Sequence, residues 1–458
     1  MSTFSGLNTA LSALKAQRRG LELTGQNIAN ANTEGYSRQR LETTAVGGTA
    51  VPALWATPNP YDGGVNVLGT VRMRDVYLET RAHTEHARQA LLNSRTDALL
   101  DIESTFDEPS DSGLQARLGQ LWGGFTDVAD SPGDSAARNQ LLVRAQIVAT
   151  SLNTMATGFA TRFEAQRHGL TDTITDINTA ATKLADLNDK VVKAQAAGLE
   201  ANELIDQRDV LVLRLTELAG ATTSRNPNGS VDLQLGGAAL VTGSTARALT
   251  LTGSATLAGQ AGDPVTVRFA DDGTAVPGAG GKTGAAVEAL NVTLPGYAAA
   301  MDNVAAMLAN SINAVQQGGY TTTGTAGVPF FSGTTAATIK VAITNPDDIA
   351  ASSDPTLALD GGNADKLAEL GRAAGGVTDT YAAVVARIGI ETNTATQLSE
   401  TQNVITAQVD FARLSVAGVN IDEELTSMLA YQRSYQAASR VMTAVDELLD
   451  TLINRMVR

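Results

Sequence analysis

The strongest constraint on this chain lies in its last thirty or so residues. Apolar and small side chains recur there at Met428, Tyr431, Tyr435, Ala438, Met442, Val445, Leu449, Leu452 and Met456, in steps of three and four. A helix keeps such positions on one narrow seam, which is the pattern of a coiled coil. Burying nine such side chains contributes on the order of 10 to 20 kcal/mol before entropy is subtracted. That gain requires a partner surface, because an isolated helix offers none. A second stripe of the same spacing opens the chain at Phe4, Leu7, Leu11, Leu14, Leu21 and Ile28, interrupted by Arg18 and Gly25. Helix pairing or polymer assembly is therefore expected of both ends, in preference to an ordinary globular core.

Ser2 or Thr3 can cap the first helix, and the run "NIANANTEGYSRQR" (27–40) supplies the Asn and Gly positions that end it. From Asp75 to about Gly220 the pattern is helical, with recurrences such as Leu99, Ile102, Phe106 and Leu141, Ala145, Val148, Leu152. Breaks fall at "DEPSDSG" (107–113) and "DSPGD" (130–134), where Pro and Gly interrupt a helix. After Gly220, Val231, Leu233, Leu235 and then Val265, Val267, Phe269 alternate around Asn-Gly, Gly-Gly and Asp-Gly turns, predicting hairpins. Helical spacing resumes near Tyr297 and, apart from a Gly/Thr-rich stretch and a short "TIKVAIT" strand, continues to the end. The expected fold class is mainly α with a β insert. It forms a discontinuous multi-domain rod of paired terminal helices, a long helical bundle and a small β domain at the outer end. The expected division is 1–74 with 405–458 for the terminal coiled coil, 75–225 with 296–404 for the helical rod, and 226–295 for the β-rich part.

The 458 residues are 43% hydrophobic, ample for real cores. Asp plus Glu outnumber Lys plus Arg by 48 to 33, a net charge of −15 that argues against nucleic acid as a partner. No run of about 18 apolar residues predicts membrane insertion. Charges follow the apolar positions in "MSTFSGLNTALSALKAQRRG", the reverse of a secretory signal peptide, so any export is expected to proceed without a cleaved signal peptide. Cysteine is absent, which excludes disulfides and thiolate chemistry.

Candidate chemistry is sparse. "VPGAGGKT" (276–283) ends like a phosphate-binding loop in Gly281, Lys282 and Thr283, but Val276 stands where the first Gly belongs. A loop between strands, without a strong helix start after it, is expected. His83 and His86 lie three apart on a helix, and the third histidine, His168, is distant in sequence; solvated helix surface is expected rather than a metal site. Asp271 with Asp272, and Asp347 with Asp348, fall beside turn residues. No nucleophile, base and orienter can be nominated, so no enzyme, catalytic residue, cofactor or metal is expected.

The stretch from Ser5 to Arg40 resembles the N-terminal signature of bacterial flagellar axial proteins, strongest at Asn27, Ile28, Ala29, Asn30, Asn32, Thr33, Gly35, Tyr36, Arg38 and Gln39. Residues 418–455 are similar to the matching C-terminal signature, with Gln432, Arg433, Tyr435, Gln436 and Ala437 in place. Residues 99–153, 204–220 and 309–331 look like segments of the hook-associated protein 1 family, whose members join hook to filament. Ala438 and Ser439 stand where many hook and rod proteins have Ala-Asn, which again favours the junction family. The resemblance implies that residues 27–40 turn the terminal helix into a strand-like arm contacting neighbouring subunits. It further implies export through the flagellar type III apparatus and a cytoplasmic chaperone that binds the C-terminal helix. Assembly as a homo-oligomeric ring of about eleven subunits is implied as well, between the hook protein and a second junction protein, hook-associated protein 3, in an extracellular flagellum. A hook or distal rod protein is the alternative within the class; a secreted enzyme or adhesin with a β head is the alternative outside it.

Overall fold

The structure, a computed structural model, describes residues 3–46 and 63–451, with side chains from Gly6 onward. Helix α1 (Thr3–Ala29) opens it and leads into an antiparallel hairpin of β1 (Gln39–Val46) and β2 (Gly64–Arg72), with a bulge between Glu42 and Thr43. Asp75 caps α2 (Val76–Glu103) by accepting from the backbone amides of Tyr77 and Leu78. The two breaker segments separate α2 from α3 (Leu114–Asp130) and α3 from α4 (Ser135–Ala196), as their Pro and Gly content predicts. At 62 residues α4 is the spine of the molecule, and one face of it is buried from Leu141 to Val191. Helix α5 (Asn202–Ala219) returns along it and stops at Gly220, whose φ of 67° is the left-handed helix end that glycine tolerates.

The β segment follows. Strands β3 (Thr222–Arg225), β4 (Val231–Leu235), β5 (Ala238–Thr242) and β6 (Thr245–Ala246) form an antiparallel sheet in that order, and β7 (Leu249–Thr252) pairs with β8 (Thr266–Phe269). The predicted alternation holds: Val231, Leu233, Leu235, Val267 and Phe269 are all buried. Asn188 and Asn178 on α4 fasten the strands by donating to the carbonyls of Val231, Gly243 and Leu249.

Helix α6 (Gly281–Glu288) passes through a π turn at 289–293 into α7 (Leu294–Gln317). Short strands β9 (Phe331–Ser332) and β10 (Lys340–Val341) pair, and α8 (Gly362–Glu369), α9 (Val377–Ala417) and α10 (Ile421–Asp450) complete the order. The core runs between α3, α4, α7 and α9, where the Phe106 ring meets Phe159, Tyr297 and Tyr381 with centroids 5.9 to 6.4 Å apart. Arg138, 1% exposed, pins the 346–349 turn to α4 by donating to the carbonyls of Pro132, Pro346 and Ile349.

Several elements differ from the sequence expectation. Residues 276–283 do not form a loop between strands, because they lead from the β-bridge at Ala275 into α6, which starts at Gly281. Gly281 has φ +56°, and a Cβ there would lie 2.2 Å from the Glu217 carbonyl oxygen. Gly280 N–H donates to the Ala219 carbonyl, and the Thr283 hydroxyl to that of Leu218. The glycines therefore serve close packing of α6 on the end of α5, and the helix start faces protein rather than a phosphate. Residues 281–295 are helical where a β region was expected. Helix α9 runs unbroken through residue 405 and ends only at Gly418.

Candidate functional site

The two ends of the chain meet along α1 and α10, which run in opposite directions. Gly6 lies opposite Val445, Gly20 opposite Tyr431 and Asn27 opposite Glu424, so equal steps along α1 match equal steps back along α10. This is a heptad register. On α10 the half-buried positions are Ser427, Met428, Tyr431, Ala438, Met442, Val445 and Leu449, and Tyr435 is 39% exposed. Leu452, Met456 and the side chain of Phe4 lie outside the described residues.

On α1 the faces are distributed differently. The face toward α10 carries small or polar residues, Gly6, Ala10, Gly20, Thr24 and Asn27, and the leucine stripe sits one position further round. Leu7, Leu14, Leu21 and Ile28 are half-buried and Leu11 is 39% exposed. Bulk on α10 is the reason at position 20: a Cβ at Gly20 would stand 2.6 Å from Tyr431 Cε1, whereas Leu23, 5% exposed, lines a cavity with Tyr431 and Glu424. A third face of α1 seats the hairpin, with Thr9 Oγ1 donating to the Gly63 carbonyl and Ser12 Oγ accepting from Val65 N–H.

The run 27–40 is a polar joint between α1, β1 and α10. Asn27, 2% exposed, uses its whole amide. Its Oδ1 accepts from the Tyr36 hydroxyl at 2.8 Å and from Gln39 N–H at 3.1 Å, and its Nδ2 donates to the Gln39 carbonyl and to Glu424 Oε2. Arg38 Nε pairs with Glu424 Oε1 at 2.7 Å and its Nη1 with Glu423 at 2.9 Å, while its backbone N–H donates to the Ala417 carbonyl. Asn30 and Thr33 close the turn, with Thr33 N–H on the Asn30 carbonyl and the two side chains bonded. Gly35 is required where φ is +76° and a Cβ would stand 2.2 Å from Val210. Burial, with Asp206, Glu424 and Glu203 nearby, pushes the Tyr36 hydroxyl up to about 12, so it stays a proton donor to Asn27.

A second cluster seats this joint on the helical part. Arg72 bridges Asp206 and Asp209, each at 2.7 Å, and Arg74 pairs with Asp209 and with Glu79. Burial lowers the Arg72 and Arg74 guanidinium values, that of Arg74 to about 10. Glu200 accepts from the Thr70 amide and hydroxyl, and Asn202 donates to Gln39 and Thr70. A cavity of about 500 Å³ lies under residues 31–37, floored by α5 and by the end of α9 at Leu414 and Ala417.

Sequence reasoning did not nominate Glu424, Asp206, Asp209, Glu200 or the small stripe of α1. Acidic residues at helix starts read as solvated, and only the folded chain brings Glu424 to Asn27. The histidines also differ from expectation. His86 is held between Glu217 and Asp410, and His83 is half-buried, its value lowered to about 4 by burial and then by Arg74 and Arg413. The cause is the packing of α5 and α9 over α2, which covers that helix face. Among the described residues no group of three or more His, Asp or Glu could hold a metal. Gln432 and Arg433 are exposed and have no hydrogen-bond or ion-pair partner among the described residues. No helix among the described residues is long and apolar enough to cross a membrane.

Comparison with known proteins matches this architecture end to end. Residues 99–331 match the flagellar hook-associated protein FlgK helical domain, residues 7–36 the flagella basal body rod protein model, and residues 412–456 the flagellar basal body rod FlgEFG protein C-terminal model. Flagellar hook-associated protein 1 of Bacillus subtilis is 28% identical over 99% of both chains, and that of Salmonella typhimurium is 24% identical over 98% of this chain and 99% of its own. The flagellar hook junction protein FlgK from Burkholderia pseudomallei shares the fold, with a TM-score of 0.65 at 16% identity over 74% of this chain and all of that one. With the helical-domain match alone spanning about half of its residues, this chain belongs to the flagellar hook-associated protein FlgK family.

Proposed function

We propose that the chain is a structural subunit of the junction ring between flagellar hook and filament, and that its paired ends build the axial wall. The carrying observation is the arrangement of α1 and α10: the small face of α1 is used within the chain, and the leucine stripe beside it stays half-exposed. An apolar stripe at helical spacing, left without a core of its own, suits packing against neighbouring copies. Exposed Gln432 and Arg433 on α10 suit polar contacts to the same neighbours. In this reading residues 1–74 with 405–458 form the axial part, the helices around α4 the rod, and residues 226–295 face outward. The ring of about eleven copies sits between the hook protein and hook-associated protein 3. Export uses the type III apparatus, with α10 held by a chaperone beforehand.

The test is Leu449→Asp in the native organism, with secretion and filaments scored separately. Placing an unpaired carboxylate on the seam costs several kcal/mol per copy. Secreted variant with hooks but no filaments is the expected result. Normal filaments and swimming would overturn the reading, and retention inside the cell would move the defect to chaperone handling.

A further inference from the structure

His86 sits on α2 with both ring nitrogens against carboxylates from two other helices. Nδ1 is 3.0 Å from Glu217 Oε1 on α5, and Nε2 is 3.1 and 3.0 Å from the two oxygens of Asp410 on α9. A neutral imidazole has one N–H and would turn a lone pair toward the other carboxylate; only the imidazolium donates to both. The ring is 16% exposed and its partners about one third, so the contacts are shielded mainly on the side of the ring. We propose that His86 is a proton-dependent clamp that fastens both α5 and α9 to α2 when protonated and can hold only one of them once it loses the proton.

The surrounding charges fit this role. On α2, His83 stays neutral and Arg81 is taken up by Glu85. Arg214 on α5 pairs with Asp176. On α9 Arg413 reaches Asp410 at only 3.8 Å, and Arg225 on β3 and Arg74 lie nearer His83. From α6, Glu288 pairs with Arg95, and Lys282 is exposed. His86 is thus the main cation between Glu217 and Asp410. Its value is raised above 6.5, first by the hydrogen bond to Glu217 and then by Asp410. A raised value means that the clamp's stabilisation is complete below about 6.5 and is lost as pH rises through the folded-state value. Asp410 precedes by two turns Ala417, whose carbonyl holds Arg38, so release loosens the seat of the chain ends.

The experiment is a histidine ring NMR titration of the full chain, native and denatured, with amide exchange of 405–417 corrected for intrinsic rates. The His86 midpoint is expected above that of the denatured chain, and Asp410→Asn is expected to lower it. Corrected exchange in 405–417 is expected to rise at least about fivefold between about pH 6.5 and 9 in the wild type, and to be flat with pH in His86→Gln. A His86 midpoint at or below the denatured value overturns the proposal. So does an equal pH profile in wild type and His86→Gln. The wild-type titration decides by itself if a variant fails to fold.

Discussion

Replacing Asn27 with Ala tests whether the joint at the chain ends depends on one amide. The substitution leaves the Tyr36 hydroxyl, the Gln39 amide and carbonyl, and one Glu424 oxygen without their partner, in a site only 2% exposed. Three neutral bonds at about 1 kcal/mol each and one charged bond at about 2 give a loss of roughly 5 kcal/mol. Relaxation and water entry reduce this to about 4, which is about a thousandfold in a local opening constant. Amide exchange of Gln39 reads it directly, because that N–H is bonded to the deleted oxygen. Helix α4 shares no group with the site and is the internal control. Acceleration at Gln39 of less than tenfold, or equal acceleration along α4, would refute the claim that Asn27 organises the joint.

Gly20→Val drives a branched side chain into the Tyr431 ring and is expected to separate α1 from α10 at a cost of about 3 kcal/mol; combining it with Tyr431→Ala should recover much of the loss, as proteolysis rates of α10 will show. Arg138→Met orphans the carbonyls of Pro132, Pro346 and Ile349 and is expected to destabilise the helical part by about 3 kcal/mol, visible as a lower denaturation midpoint with an unchanged slope. His83, held neutral down to about pH 4, takes up its proton more readily when unfolded, so stability falls as pH drops from about 6.5 toward 4. His83→Gln is expected to flatten that limb in acid unfolding measured by circular dichroism.

On α10 the half-buried face is also the apolar face that periodicity marks. On α1 the two diverge by one position. Tyr431 fills the space opposite position 20, so glycine stands there, and Gly6, Gly20 and Thr24 carry little hydropathic signal. The strands near 231 and 267 were legible for the opposite reason: one buried face over α4 imposes strict alternation. Residues 281–295 were misjudged because Gly280 and Gly281 read as loop, whereas close approach to Gly220 and to the Glu217 carbonyl, respectively, is what demands them. Within the joint, Asn27, Tyr36, Arg38 and Gln39 were flagged through resemblance. Their partner Glu424 was not, since nothing local distinguishes a buried helix-start carboxylate from a solvated one.

Burial along the chain sets an order of local stability. Helix α4 buries twenty residues, including Phe159, Phe163 and Leu184, while Glu424 is the one buried residue among the described residues of α10. Half-buried seam positions contribute a fraction of the roughly 2 kcal/mol that a fully buried Leu or Met supplies. The α1 face contributes less still at Gly6, Ala10 and Gly20, which have little to bury. The pairing of the ends is therefore specified by the polar joint at Asn27 and Glu424 and by a tight heptad register, rather than held by a core. Such a pair is well defined yet cheap to open. Covering the leucine stripe of α1 would add apolar burial that the isolated chain lacks, so in the proposed ring the ends would gain stability from the surface laid against them.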